Sequence, residues 1–168
     1  TRSAFADAAN YFGIAMDALD RTPMTRARET DAIDLRMEAR ATFIASGHVA
    51  EWLDLGKEAE RRAGAIDDIG RKVAAMTVRA GAQNFHGAPV EAVALSEEVV
   101  RLAEQWGDVG WLNLARYGLG QAYFLAGRFR SAAETLALAY AQLAGADAKA
   151  PLGSTPNYLL LLCCMMKS

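Results

Sequence analysis

Proline and cysteine are scarce in this chain. Only four prolines occur in 168 residues, and the only two cysteines, Cys163 and Cys164, are neighbours. Because proline disrupts helix interiors, its scarcity leaves long stretches free to form helices. Adjacent cysteines rarely pair with each other, and two cysteines cannot build a disulfide framework, so we expect a reducing, cytoplasmic setting.

A strong excess of charge and a long apolar run are also missing. The chain has 18 basic and 20 acidic residues, a net charge of −2, so nucleic acid is not an expected partner. The longest apolar run, residues 158–166, is far shorter than the roughly 20 residues that a membrane helix needs. Residues 1–5 lack the pattern of a signal peptide. We therefore expect no membrane partner.

A regular spacing of glycines is the most informative feature that is present. Gly47, Gly87 and Gly127 recur at an equal interval, and each lies between two apolar helical runs. Asp68 and Asp108 are separated by the same interval, and each precedes such a run, where a helix N-cap belongs. A fixed period of this size predicts stacked helix–turn–helix repeats, in which the glycine ends the first helix with a positive φ.

The period predicts an all-α fold, a right-handed α-solenoid of stacked antiparallel helix pairs repeating about every 40 residues. Seven helices are expected over about 3–20, 30–46, 50–63, 68–86, 89–106, 108–126 and 128–144. We interpret residues 1–168 as one solenoid piece of a longer protein. It would contain a half repeat at 3–20, complete repeats at about 30–63, 68–106 and 108–144, and a partial repeat at 157–167.

Large and small side chains alternate between the repeats in a way that predicts close helix packing. Trp52 and Gly56 are one helical turn apart, large then small, and the matching Ala132 and Leu136 reverse the order. Such an exchange can keep the packed volume similar. Gly120, inside a predicted helix, also indicates a close approach of two helices, since no phosphate-binding loop motif surrounds it.

No group of residues has the spacing of a catalytic or metal site. His48 and His86 flank turn glycines and lack further ligands nearby, so we interpret them as turn residues. Cys163 and Cys164 lie in an apolar run, where cysteine behaves as a small hydrophobe. We expect no cofactor, no metal and no enzymatic activity in these 168 residues.

The third repeat carries a family resemblance. It contains Leu119 and Gly120 followed by Tyr123, then the turn glycine Gly127 and the aromatic Phe129, with spaced alanines beyond. This pattern resembles the tetratricopeptide repeat. The period is longer than that repeat's usual length of about 34 residues. In this respect the chain is similar to the longer repeats of bacterial MalT/LuxR-type regulators and of multidomain class III adenylate and guanylate cyclases.

The resemblance implies where a partner would bind. In tetratricopeptide arrays the first helices of each pair line a concave groove. By resemblance, the groove positions are Asp34, Met37, Ala41, Ile44, Thr77, Gly81, Asn84, Tyr117, Gln121 and Phe124. The resulting face combines one acid, small polar groups and aromatic residues expected to be exposed. We expect Tyr117, Gln121 and Phe124 to make the main contacts.

The resemblance favours a non-catalytic protein-interaction or regulatory module in a larger bacterial signalling protein. Its partner would be a protein, a peptide or an adjacent domain of the parent chain. Two alternatives stay open: a small-molecule-sensing domain of a transcriptional regulator, and a structural or oligomerisation spacer. The apolar segment 157–167 further predicts a homodimer, because a helix that is apolar on every side must be buried.

Overall fold

The structure, a computed structural model, describes the backbone of residues 2–144 and the side chains of residues 4–142. These residues form seven α-helices and no strand: α1 (Arg2–Asp20), α2 (Arg26–Ser46), α3 (Val49–Ala65), α4 (Ile69–Phe85), α5 (Pro89–Trp106), α6 (Val109–Leu125) and α7 (Phe129–Ala144). The expected all-α class is confirmed for this part of the chain. The predicted segment 157–167, its dimer contact and both cysteines lie outside the described residues.

Side-chain caps determine where three of the helices begin. Asp68 and Asp108 accept hydrogen bonds at 2.9 Å from the backbone N–H groups of Arg71 and Trp111, so both predicted N-caps are confirmed. Thr25 caps α2 in the same way, through the backbone N–H of Arg28 at 3.2 Å. Because of this cap, helix α2 begins at residue 26, and the predicted start near residue 30 is wrong.

The periodic glycines end helices as predicted. Gly47, Gly87 and Gly127 have φ values of 77°, 85° and 75°, which are left-handed conformations that side-chain-bearing residues rarely adopt. Each follows a first helix of a predicted repeat, and each is followed within two residues by the next helix. Each periodic glycine thus lies between two consecutive helices and has a positive φ.

The chain divides after His86 into two compact units. The first contains α1 to α4, in which α3 packs against α2 and α4, and α1 packs against α2. Its core includes Ile33, Ala59 and Ala75 in one cluster and Trp52 and Val78 in another. A Cβ atom added to Gly56 would lie 2.9 Å from the backbone of Arg79, so α3 and α4 approach closely at this glycine.

The second unit contains α5 to α7, and α6 packs against both of its neighbours. A Cβ atom added to Gly120 would lie 2.5 Å from Cγ of Leu136, so this glycine makes room for a leucine of α7. In the first unit Gly81 makes room for Trp52 in a similar way. Trp52 and Leu136, the large residues of the two exchanged pairs, therefore each lie against a glycine. The superhelical stacking of the repeats stays a prediction.

Candidate functional site

The predicted groove residues of α2 and α4 are mostly engaged within the first unit. The carboxylate of Asp34 accepts two hydrogen bonds from Arg71, at 2.8 and 2.7 Å, which join α2 to α4. Met37 is half-buried and packs against both core clusters. The Thr77 hydroxyl donates to the Val73 carbonyl at 2.8 Å. These side chains stabilise the unit, and only part of each faces solvent.

The remaining positions on these helices differ in exposure. Ala41 and Ile44 are exposed on α2, while Gly81 is half-buried and close to the Trp52 ring. Asn84 is half-buried, and its Oδ1 atom is buried without a hydrogen-bond partner among the described residues. The α2 and α4 positions therefore present a discontinuous set of exposed groups.

On α6 the structure corrects one expectation. Tyr117 is only 8% exposed, so it is not the exposed aromatic that the resemblance implied. Its hydroxyl accepts a hydrogen bond from the half-buried Gln121 amide at 2.9 Å. Phe124, in contrast, is 50% exposed and lies edge-on to Phe129, with ring centroids 5.5 Å apart. Tyr117 thus belongs to the helix packing, and Phe124 is the exposed aromatic of this strip.

The first unit also contains a cluster of charges that was not among the predicted site residues. We call it the charge cluster, and it consists of Asp20, Arg28, Glu29, Arg36, Glu58, Arg61 and Arg62. Its members come from α1, α2 and α3. Glu29, Arg36 and Arg62 are buried, which is unusual for charged side chains and requires that they be paired.

Arg62 is the centre of the charge cluster. Its three guanidinium nitrogens bind three different carboxylates: Nε contacts Glu58 at 2.7 Å, Nη1 contacts Glu29 at 3.2 Å, and Nη2 contacts Asp20 at 2.8 Å. Asp20 ends α1, Glu29 lies in α2, and Glu58 lies on α3 itself. One side chain therefore connects the three helices.

Two further arginines complete the connection between α1 and α2. Arg28 donates to the carbonyls of Leu19 and Asp20, at 3.0 and 2.7 Å, in the last turn of α1, where carbonyls lack intrahelical partners. The Leu19 carbonyl also accepts a hydrogen bond from the Thr22 hydroxyl at 2.7 Å. It also binds the Glu29 carboxylate. Arg36 binds the Asp20 carboxylate at 2.9 Å and the Ala32 carbonyl at 2.9 Å. Asp20 is thus bound by three guanidinium groups.

These contacts change the protonation of Glu58. A side-chain hydrogen bond from Arg61 is the largest cause, partial burial opposes it, and Arg62 adds a second hydrogen bond. Together they lower the pKa of Glu58 to about 2 from its usual 4.5. Glu58 therefore remains a carboxylate throughout the pH range in which proteins usually work.

A pocket of about 520 Å³ opens beside the charge cluster. We call it the arginine pocket, and it is lined by Asp20, Met24, Thr25, Arg26, Arg28, Glu29, Arg61, Arg62, Ala65 and Ile66. Four guanidinium groups and two carboxylates give its wall an excess of positive charge, and Met24, Ala65 and Ile66 add apolar surface to the lining. The pocket belongs entirely to the first unit.

The second unit offers fewer polar contacts. The Tyr123 hydroxyl donates to Glu97 at 2.7 Å, and burial together with this bond raises the pKa of Tyr123. Glu97 is exposed, and its carboxylate accepts this hydrogen bond. His48 and His86 are exposed turn residues, and His48 Nδ1 lies 2.8 Å from the Ser46 hydroxyl. Among the described residues, no group of three or more acidic, histidine or cysteine side chains could hold a metal ion.

A helical pattern could have revealed part of the charge cluster. Glu29 and Arg36 are seven residues apart, and Ala32 and Ile33 between them are fully buried on the same side of α2. Since residues three, four and seven apart share a helix face, both charges belong on the buried face. Their partners on α1 and α3 carry no comparable signal, because pairing between helices depends on tertiary packing.

No protein-family model and no curated protein matches this sequence. None of the helices formed by residues 2–144 is both long and apolar enough to cross a membrane.

Proposed function

We propose that the chain is a tetratricopeptide-like helical-repeat module that binds a protein or peptide partner and carries no catalytic chemistry. It would act as a regulatory part of a larger bacterial signalling protein. The observation that carries this proposal is the repeated connection: a first helix, a glycine with positive φ that recurs at an equal interval, and a second helix. The equivalent caps Asp68 and Asp108 support it.

Exposed apolar side chains support a binding role for the second unit. Phe124 and Phe129 form an edge-on aromatic pair, and Phe124 lies on the first helix of its pair, where the resemblance puts partner contacts. Leu125, next to it, is also half-exposed. Aromatic side chains supply large contact area at a small cost in conformational entropy, which makes them frequent binding hot spots. We propose Phe124 as the main contact residue and Gln121 as a polar neighbour.

A peptide-display selection on the intact 168-residue chain tests this function. We expect the selected peptides to share an apolar or aromatic residue, and their affinity to fall at least about tenfold in Phe124→Ala, as for other hot-spot aromatics. Leu138→Ala is the matched control, because Leu138 is a similarly exposed apolar residue on α7 of the same unit. Helicity, measured by circular dichroism, should be unchanged in both variants.

Two results would contradict the proposal. The first is a selection that enriches no peptide above background. The second is an equal loss of peptide affinity in Phe124→Ala and Leu138→Ala, which would indicate non-specific hydrophobic binding to the surface. Tyr117→Ala is expected to lower the stability of the fold, since Tyr117 is buried, and any loss of affinity should accompany that loss of stability.

A further inference from the structure

We propose that the arginine pocket binds a small organic phosphate. This site is in the first unit, and it does not depend on the partner-binding role proposed above. The argument begins with charge. Four guanidinium groups and two carboxylates line the pocket. Adding the bonded neighbours Arg36 and Glu58 gives five guanidinium groups and three carboxylates, so an excess of two positive charges persists.

The excess positive charge is located on particular side chains. Arg28 and Arg62 bind carboxylates of the charge cluster. Arg61 uses Nε and Nη2 for Glu58. Arg26 forms no ion pair with the residues that the structure describes, although it is near enough to Asp68 to help lower the pKa of that carboxyl. Arg26 is therefore the lining cation that is most available to an anion.

The volume of the pocket and the rest of its lining indicate the kind of anion. A phosphate monoester carries close to two negative charges, which matches the excess, and its oxygens fit the forked donors of arginine. Thr25 and Arg26 bring the N-terminus of α2, a favourable end for anions, to the wall. A volume of about 520 Å³ exceeds the needs of phosphate alone, and Met24, Ala65 and Ile66 offer an apolar surface to an organic substituent.

Calorimetric titration of the 168-residue chain with phenyl phosphate tests this site, with inorganic phosphate and succinate as comparison probes. We expect phenyl phosphate to bind more tightly than either. Arg26→Gln should weaken its binding about tenfold, because a charge-assisted contact is lost. Arg130→Gln is the matched control, since Arg130 is an exposed arginine in the second unit, and it should leave the affinity unchanged.

Met24→Ala distinguishes the apolar contribution to phenyl phosphate binding from the electrostatic one. Met24 is exposed, so its truncation should not affect folding. It should weaken phenyl phosphate about threefold by removing apolar contact, with no change for inorganic phosphate. The proposal is overturned if phenyl phosphate does not bind, if Arg26→Gln and Arg130→Gln weaken it equally, or if succinate binds more tightly than phenyl phosphate.

Discussion

The two units share a helix–turn–helix plan but differ in what holds their helices together. Eleven ion-pair contacts lie inside the first unit and two inside the second, among the residues that the structure describes. Within residues 4–142, the buried polar residues of the first unit are charged, whereas those of the second are Ser96 and Asn113. Both units use close packing at glycines, and the first unit adds a set of buried, paired charges that the described part of the second unit lacks.

This difference shows that one backbone plan can be stabilised in two physical ways. The charge cluster binds specific helices to each other, because a buried charge is tolerated only with its partners. The contact of Gly120 with Leu136 is non-directional and depends only on volume. Substitutions in the charge cluster and at Gly120 should therefore destabilise the two units through different mechanisms.

The largest effect is expected at the centre of the charge cluster. Arg62→Met should lower the free energy of unfolding by about 3–5 kcal/mol, because the buried Glu29 loses a partner and three helices lose their common contact. In the second unit, Arg116→Met removes the more exposed pair with Glu104 and should cost about 0–1 kcal/mol. Urea unfolding measures both. Equal costs would contradict the difference between the units.

The packing of the second unit is tested at Gly120. Gly120→Ala should cost about 1–3 kcal/mol, because its new Cβ would overlap Leu136. In the Leu136→Ala background the same substitution should cost much less, and this coupling is measured by a double-mutant cycle. Gly118→Ala is the control: no heavy atom lies within 4 Å of its added Cβ, so it should stabilise the helix by about 0.5–1 kcal/mol.

The equivalent caps of the two units provide a direct comparison. Asp108→Ala should cost about 1 kcal/mol for the lost helix cap. Asp68→Ala should cost more, about 1–2 kcal/mol, because Asp68 also binds the Arg71 side chain at 2.9 Å. Partial burial raises the pKa of Asp68, but the Arg71 hydrogen bonds outweigh it and lower this pKa below its usual value. Thermal unfolding should therefore show a larger loss of stability in Asp68→Ala than in Asp108→Ala. The reverse order would contradict a stabilising contribution from the ion pair of Asp68 with Arg71.

The smallest effect is a pH dependence confined to the first unit. Because the pKa of Glu58 is lowered from 4.5 to about 2 in the folded state, its contribution is fully present above pH 4.5 and is lost as pH falls toward 2. Glu58 is about one-third exposed, so solvent screening limits this contribution to about 1 kcal/mol. Urea unfolding of Glu58→Gln should show this loss at pH 6 and almost none at pH 2.

The local features of the fold could be predicted from the sequence because each is encoded by a few neighbouring residues. Asp68, Asp108 and the periodic glycines specify helix ends through their own side chains or backbone freedom. Thr25 has the same role, but it does not lie at the interval that separates Asp68 from Asp108. The predicted start of α2, near residue 30, is therefore about four residues after the observed start at Arg26.

The candidate sites were harder to predict, since they depend on contacts between helices. Asp34 looked like a free acid until its pairing with Arg71, 37 residues away, was visible. Tyr117 looked exposed because resemblance gives a position but not the depth of burial. The contacts of Arg62 with Asp20 and Glu29 join residues that no local pattern connects. Only the tertiary packing brings these charges together.

Hydrogen exchange of two variants, resolved by peptide, tests the contrast between the units most directly. Arg62→Met should lower protection in α1 to α3, where the charge cluster lies, more than in α5 to α7. Gly120→Ala should have the opposite pattern, with the larger loss in α6 and α7. Wild-type protection of α1 to α3 in Arg62→Met would contradict the claim that buried charge pairs stabilise the first unit.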